Sequence, residues 1–544
     1  MTTTSTLLTP EQLTLHSKID NMQLAYKTAE LNPYLLLPQL SQFVSRVIQA
    51  DFDVYMLATH YPVKDYLGWL GLSFFAPKQT ASDELLGYFA TEPNHRVAFK
   101  PGLLFTTNNQ TILIDANDLL QDSKLLDIVG KVIRNRHLSS RWLMTEDTSN
   151  VTHNKYRHQK LKFDKQIIIT GDYEAIQNVK FILPSLSKLT CDEITEADQI
   201  TELKIETVTA FNHFMTYYIS QHKLEIDLSI EQTQNILWAL ARLIEEQSWF
   251  SLDLSYLKRL LSRLPKHFIA SDVELAVQDI NGFNSSSRLY NFEQILKNTI
   301  KVDFSGEVIG QINGLTVVET ALAEFGEPSR ITANIFVGEG DIGDIERKSD
   351  LGGNIHAKAM MILSSFVARV FAKNIPLPIS SNIVFEQSYH EIDGDSASLA
   401  ELYALLSAIS NVPIKQNVAL TGAIDQLGNV LAVGGIDLKI EGYYVLAKLK
   451  SPSQVHHVII PHANIGHLNL SSEILNAVSQ GSLQIHAIKH VNEAAHLLTG
   501  LPAESETEVS LFDKVREELE HYGQELEHSR SFFKKLALFF RKSG

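Results

Sequence analysis

The stretch from Val384 to Gly442 constrains this chain more than any other. An extended segment, Ile383 to Gln387, leads into the short acidic turn Ile392-Asp393-Gly394-Asp395, and Ser396 then opens a helix through Ala400, Leu405 and Ile409. Farther on, Gly434-Gly435 breaks a strand-like run. Ile436 to Ala447 then reads as a second helix, with Lys439 in its first turn. Strands and helices alternate too closely here for a pure bundle or a pure sandwich, so the region predicts a mixed fold.

A serine placed where a turn becomes a helix has its hydroxyl beside unpaired backbone N–H groups. Those donors, with the positive end of the helix dipole, stabilise negative charge on a nearby oxygen. Acyl transfer by a serine nucleophile needs that environment. The residues alone leave two readings open for each group: Ser396 as N-cap or nucleophile, Lys439 as solvated side chain or base.

Three features recur together in a known order: the acidic-Gly-x-Ser-Ala run from Asp393 to Ala397, the pair Thr421-Gly422, and Gly434-Gly435 followed by Lys439. In this the segment resembles the proteolytic domain of the Lon family, and the Gly-Asp-Ser-Ala-Ser wording is closer to the archaeal, B-type branch. Further matches in family order are Val308 to Leu315, Gly326 to Arg330 and Gly352 to Lys358. The resemblance implies a Ser–Lys dyad of Ser396 and Lys439, with Thr421 orienting it. Asp393, Gly394, Asp395, Gly434 and Gly435 support it, and Asp393 either shapes the turn or holds the lysine ammonium at rest. His356 is expected to be a structural hydrogen-bonding residue and not a base. A serine hydroxyl attacks near neutral pH only if a base takes its proton, and lysine does so only when held neutral. The apolar neighbours Val433, Ile436, Leu438 and Ile440 suit a buried amine.

At 544 residues the chain exceeds one core, and three to four domains are expected. The predicted organisation is a degenerate AAA+-like α/β domain over 1–182, a helical lid-like bundle over 183–300, an α+β Lon-type proteolytic domain over 301–502, and a charged, amphipathic helical tail over 503–544. In the first, the strand Asp53 to Ala58 would feed a phosphate loop, but Thr59 to Asp65 contains no glycine to cradle an anion. Lys64 stands alone there. Thr111 to Asp115 has the form of a strand ending in a metal-positioning carboxylate, yet Ala116 follows where a working ATPase carries Glu. No cofactor is therefore expected, ATP included. In the bundle, Ser229-x-x-Gln232 and Ser271-x-x-Glu274 read as capping boxes.

The net charge of −16 argues against a nucleic-acid partner. A single cysteine, Cys191, excludes an internal disulfide and fits a reducing compartment. The start MTTTSTLLTPEQL lacks the basic and apolar regions of a signal peptide, so a cytoplasmic location is expected. Twenty histidines include no HExxH or paired Cys/His spacing, and His456, His457, His462 and His467 are expected at the surface. Leu511 to Glu527 reads as a solvated helix. The basic, Phe-rich end from Arg530 to Lys542 suits an anionic membrane, a partner, or packing on its own chain or a neighbour. The resemblance implies a hexameric ring and unfolded or damaged polypeptides as substrates. The alternatives are a non-proteolytic adaptor or scaffold, and an ATP-dependent protease with an unrecognised nucleotide site.

Overall fold

The computed structural model describes residues 5–524 apart from 16–17, 19–31, 51–53, 60–61, 78–81, 92–96, 145–157, 195–197, 321–322, 339, 349–350, 374–375 and 388–392. Asp53, His60, Tyr61, Ile392 and the Phe-rich end of the tail lie outside the described residues. The chain forms two compact units, and neither is continuous in sequence.

The unit built from 22–233 and 249–267 contains a five-stranded sheet. Its order is Thr190–Ile194, Val54–Ala58, Gln166–Gly171, Thr111–Asp115, Phe74–Phe75, and every neighbouring pair is parallel. Val54–Ala58 is buried at all five positions, as a strand covered on both faces requires. Thr190–Ile194 corrects the all-helical reading of 183–300: its residues add to the sheet edge beside Val54–Leu57. Ile200–Glu202 likewise pairs antiparallel with Trp249–Ser251. A strand of three to five residues is too short to declare a period, which is why the flanking helices dominated the sequence pattern.

The second unit comprises the described residues of 1–21, 234–248 and 268–544. Its eight-stranded mixed sheet runs Thr6–Leu7, Leu483–Ile488, His456–Pro461, Val418–Leu420, Gln311–Glu319, Glu324–Val337, Ile379–Phe385, Ile342–Asp344. Two helices pack on its central strands, Ser398–Ser410 and Ile436–Lys450, and both are almost entirely buried. The lysine helix lies so close to Glu324–Val337 that side-chain atoms on Gly326 or Gly442 would run into backbone, so both crossing points are glycine.

Two predicted boundaries move here. Thr6–Leu7 extends the sheet by pairing with His486 and Ala487, and Leu8 and Leu13 join the same core, so the start of the chain does not belong with 22–182. Residues 511–524 form a helix that is not simply solvated, because Leu511, Phe512, Val515 and Leu519 form a buried stripe on the proteolytic core. Burying each such side chain is worth about 1.5–3 kcal/mol, enough to fix the helix in place.

The capping boxes divide. Ser229 donates its N–H to Gln232 Oε1 at 3.0 Å, ahead of the helix Ile230–Arg242, as read. The helix Ala270–Ile280 instead starts after Ile269, whose N–H donates to Asp272 Oδ2 at 2.9 Å. Glu274 is left to accept from the Ser472 backbone N–H.

Candidate active site

The helix after the acidic turn begins at Ser398, two residues later than the sequence pattern placed it. Its N-cap position is Ala397, which makes no side-chain capping bond, so Ser396 stands in the turn before the helix and is not the cap. Ser398 does the local fastening: its hydroxyl donates to the Asp395 carbonyl at 2.8 Å and accepts from the Ile424 N–H at 3.2 Å. Ser396 is half-buried, and its hydroxyl has no hydrogen-bond partner among the described residues. Among those residues the backbone N–H groups of Ser396 and Ala397 also lack an acceptor, leaving two adjacent donors at the turn.

Thr421-Gly422 fixes that turn from the neighbouring strand. The Ser396 carbonyl accepts from the Gly422 N–H at 2.8 Å and from the fully buried Thr421 hydroxyl at 3.2 Å. The Leu399 N–H returns a bond to the Gly422 carbonyl at 3.1 Å. Thr421 thus acts on the backbone of Ser396.

Gly434-Gly435 starts the lysine helix. Gly435 has φ 67°, a left-handed conformation that a side chain would strain, and a Cβ there would strike Val317. Lys439 lies in the first turn, its N–H bonded to the Gly435 carbonyl at 3.0 Å, and only 3% of it is exposed. Its ammonium has no hydrogen bond or ion pair among the described residues. Burial pushes its pKa down to about 8, against the opposing pull of the Glu245 and Asp395 charges. Asp395 is the residue before Ser396, so the lysine lies within electrostatic reach of the Ser396 turn.

Asp393 is bonded to a different helix. Its Oδ1 accepts from the Ile355 N–H at 2.9 Å at the start of the helix Asn354–Phe371, an exposed helix end that needs an acceptor. The carboxylates whose charges act on Lys439 are Glu245 and, after it, Asp395. Gly394 has open space where a side chain would go.

His356 is buried with three acids. Its Nε2 is 3.2 Å from Asp344 Oδ2 and 3.8 Å from Glu401 Oε1. Burial opposes its protonation, but the Asp344 hydrogen bond and the charges of Glu401, Asp344 and Glu346 outweigh it and raise its pKa. Burial lifts Glu401 to about 7. Glu346 in turn accepts from the Phe385 N–H at 3.1 Å, securing the end of the strand that precedes the Ser396 turn.

His456 departs from expectation. It is fully buried at the start of a central strand, with Nε2 3.0 Å from the Ser451 carbonyl. His457 is half-buried, its Nδ1 3.2 Å from His486 Nε2. Strand alternation inside a covered sheet, invisible in a His-His pair, decides this. No group of acids, histidines or cysteines suited to a metal occurs among the described residues. None of the described helices is long and apolar enough to cross a membrane.

Sequence reasoning missed the residues that grip the lysine helix from 234–248. Arg242 donates to both carboxylate oxygens of Glu441, at 2.9 and 2.7 Å, and to the Asn469 carbonyl at 2.7 Å. Glu245 Oε1 accepts from the Gly435 N–H at 2.8 Å. Their separation of nearly two hundred residues from the partners leaves no local signal.

In the parallel sheet, Asp115 accepts from the Asn117 N–H at 2.8 Å as N-cap of Ala116–Gln121. Burial raises the pKa of nearby Asp118; the charge of Asp115 adds to the rise and that of Lys64 opposes it.

Residues 331–499 match the family model for the Lon protease (S16) C-terminal proteolytic domain. A protein of Escherichia coli (strain K12) named "Putative Lon protease homolog" is 29% identical over 535 residues, covering 95% of this chain and 89% of that protein. A protein of the same name from Haemophilus influenzae is 30% identical over 429 residues, covering 77% of this chain and 69% of its own length. The archaeal Lon protease of Thermoplasma volcanium is 33% identical over 177 residues, which are 32% of this chain and 26% of that one. The turn-borne serine, the buried lysine and these likenesses meet in one conclusion: the chain belongs to the Lon protease family.

Proposed function

We propose that the protein is a serine endopeptidase that cuts unfolded or loosely folded polypeptides, with Ser396 as nucleophile and Lys439 as general base. The observation that carries this is the buried Lys439 amine, without a counter-ion bonded to it and lowered to about 8, within electrostatic reach of Asp395 in the Ser396 turn. The neutral amine takes the Ser396 hydroxyl proton as Oγ bonds to the scissile carbonyl carbon. The carbonyl oxygen becomes an oxyanion facing the free N–H groups of the turn. Lys439 then gives its proton to the leaving amine as the C–N bond breaks, leaving an ester on Ser396. Water attacks that ester and gives a proton to Lys439; the acyl C–Oγ bond then breaks, Lys439 returns the proton to Ser396 Oγ, and the carboxyl product leaves.

The protein works without hydrolysing ATP. Ligands of open α/β sheets bind at the carboxyl ends of the strands. Here those ends present two carboxylates, Asp115 and Asp118, against Lys64, a poor setting for a triphosphate. The protein is cytoplasmic and assembles as a six-membered ring that hides its sites. Light scattering on the intact chain should return the mass of six copies, and a monomer would overturn the ring. A serine-directed phosphonate should label native protein at Ser396; refusal of several such probes by folded protein would remove the dyad.

A further inference from the structure

We propose that Glu245 is a positioning residue for the dyad: its carboxylate holds the Gly435 N–H and sets a fixed negative charge at the end of the helix from which Lys439 projects. This rests on the Ser396–Lys439 reading above.

The placement is built. Glu245 has φ 51°, a left-handed conformation a glutamate keeps only when its neighbours hold it there. They do so on both sides. Arg242 is fastened to Glu441 and to the Asn469 carbonyl. The Glu246 carbonyl accepts from Asn469 Nδ2 at 2.8 Å. Gln247 donates its N–H to the Gly466 carbonyl at 2.8 Å and its amide to the Leu468 carbonyl at 2.6 Å. Between these anchors the Glu245 carboxylate reaches the first N–H of the lysine helix at 2.8 Å.

The charge has a consequence for the base. A helix N-terminus is positive and disfavours an ammonium in its first turn. Burial works in the same direction, and a lysine depressed too far would be neutral but weakly basic. Glu245 opposes both effects, ahead of Asp395. Asp437 and Glu441 lie two positions before and after Lys439 on its helix, which puts them on another face. Asp437 is held by the Asn469 N–H, and Arg242 pairs with Glu441 and lies 3.9 Å from Asp437. Glu245 therefore keeps the amine basic enough to take a proton from serine.

The test is the pH dependence of Ser396 labelling by a phosphonate, on the full chain. Glu245→Gln keeps an acceptor for the Gly435 N–H but removes the charge. Its acid limb should move to lower pH, with labelling at pH 6.5 about threefold faster than in the native protein. Glu473→Gln, a charge removal on an exposed pair with Lys448, should leave the limb in place. If Glu245→Gln fails to fold, Glu245→Ser must shift the limb in the same direction. A limb that stays put or moves up overturns this inference alone. Failure of the native protein to label overturns the dyad, and this inference with it.

Discussion

Each of the two units with a large sheet has a helix with a lysine in its first turn and carboxylate charge within reach, and the two lysines have opposite environments. Lys64, which follows Val54–Ala58 of the parallel sheet, is exposed, with the Asp118 carboxylate within electrostatic reach. Lys439, beside the mixed sheet, is buried and unpaired among the described residues. The residue types are the same, and what differs is access to water. Desolvation, and not the presence of a lysine near a serine or an acid, turns an amine into a base at neutral pH. In the parallel sheet the comparable groups have gone to ordinary structural work, Asp115 to a helix cap.

The sharpest way to break this contrast is to remove the buried amine. Lys439→Met keeps the volume and the apolar setting, and cleavage of an unstructured protein should fall by about a thousandfold or more. Near-native cleavage by the variant would end the distinction. Lys64→Met should leave the same assay unchanged.

A smaller effect tests whether buried charge in the proteolytic unit is tuned throughout. Glu401 rises to about 7 when folded, above its ordinary value of 4.5. The folded state therefore binds more protons than the unfolded one between those values. Its stabilising contribution is complete below 4.5 and is lost as pH rises through 7. Raised His356 acts in the same direction. Glu401→Gln should flatten the decline of Tm between pH 5 and 7.5; an unchanged slope would mean that Glu401 does not carry that proton.

The smallest effect belongs to the other sheet. Asp115→Ala should cost about 1 kcal/mol of stability through loss of its cap, read by denaturant unfolding, with peptidase activity unaltered. Added ATP should leave cleavage unchanged. Stimulation by ATP but not by a non-hydrolysable analogue would show that this sheet still drives the reaction.

The proteolytic core was legible in sequence because its signals are local. The Asp393–Ala397 run, the Gly435 break and the alternating strands each sit within a few residues of the structure they specify. Helix starts were less sharp: Ser396 looked like a cap, but Ala397 holds that position and Ser398 makes the fastening bonds. What could not be read was long-range. The edge pairing of Thr6–Leu7, the buried stripe of 511–524 and the grip of Arg242 and Glu245 depend on partners far along the chain. His456 was misplaced for the same reason, since only the neighbouring strands show which of two adjacent histidines is covered.

The proteolytic unit is threaded rather than sequential: 234–248 leaves the chain of one unit, enters the other and returns. A fragment cut to residues 301–502 would look complete by sequence, since it spans everything the family model matches. It would nonetheless strip Asp437 and Glu441 of Arg242, expose two acids buried on the lysine helix, and remove the Glu245 acceptor from Gly435. Such a fragment would carry both residues of the proposed dyad without the stretch that bonds to the lysine helix. A deletion that took out 22–267 in one piece would remove 234–248 with it, because the stretch bonded to the lysine helix is embedded in sequence between parts of the other unit.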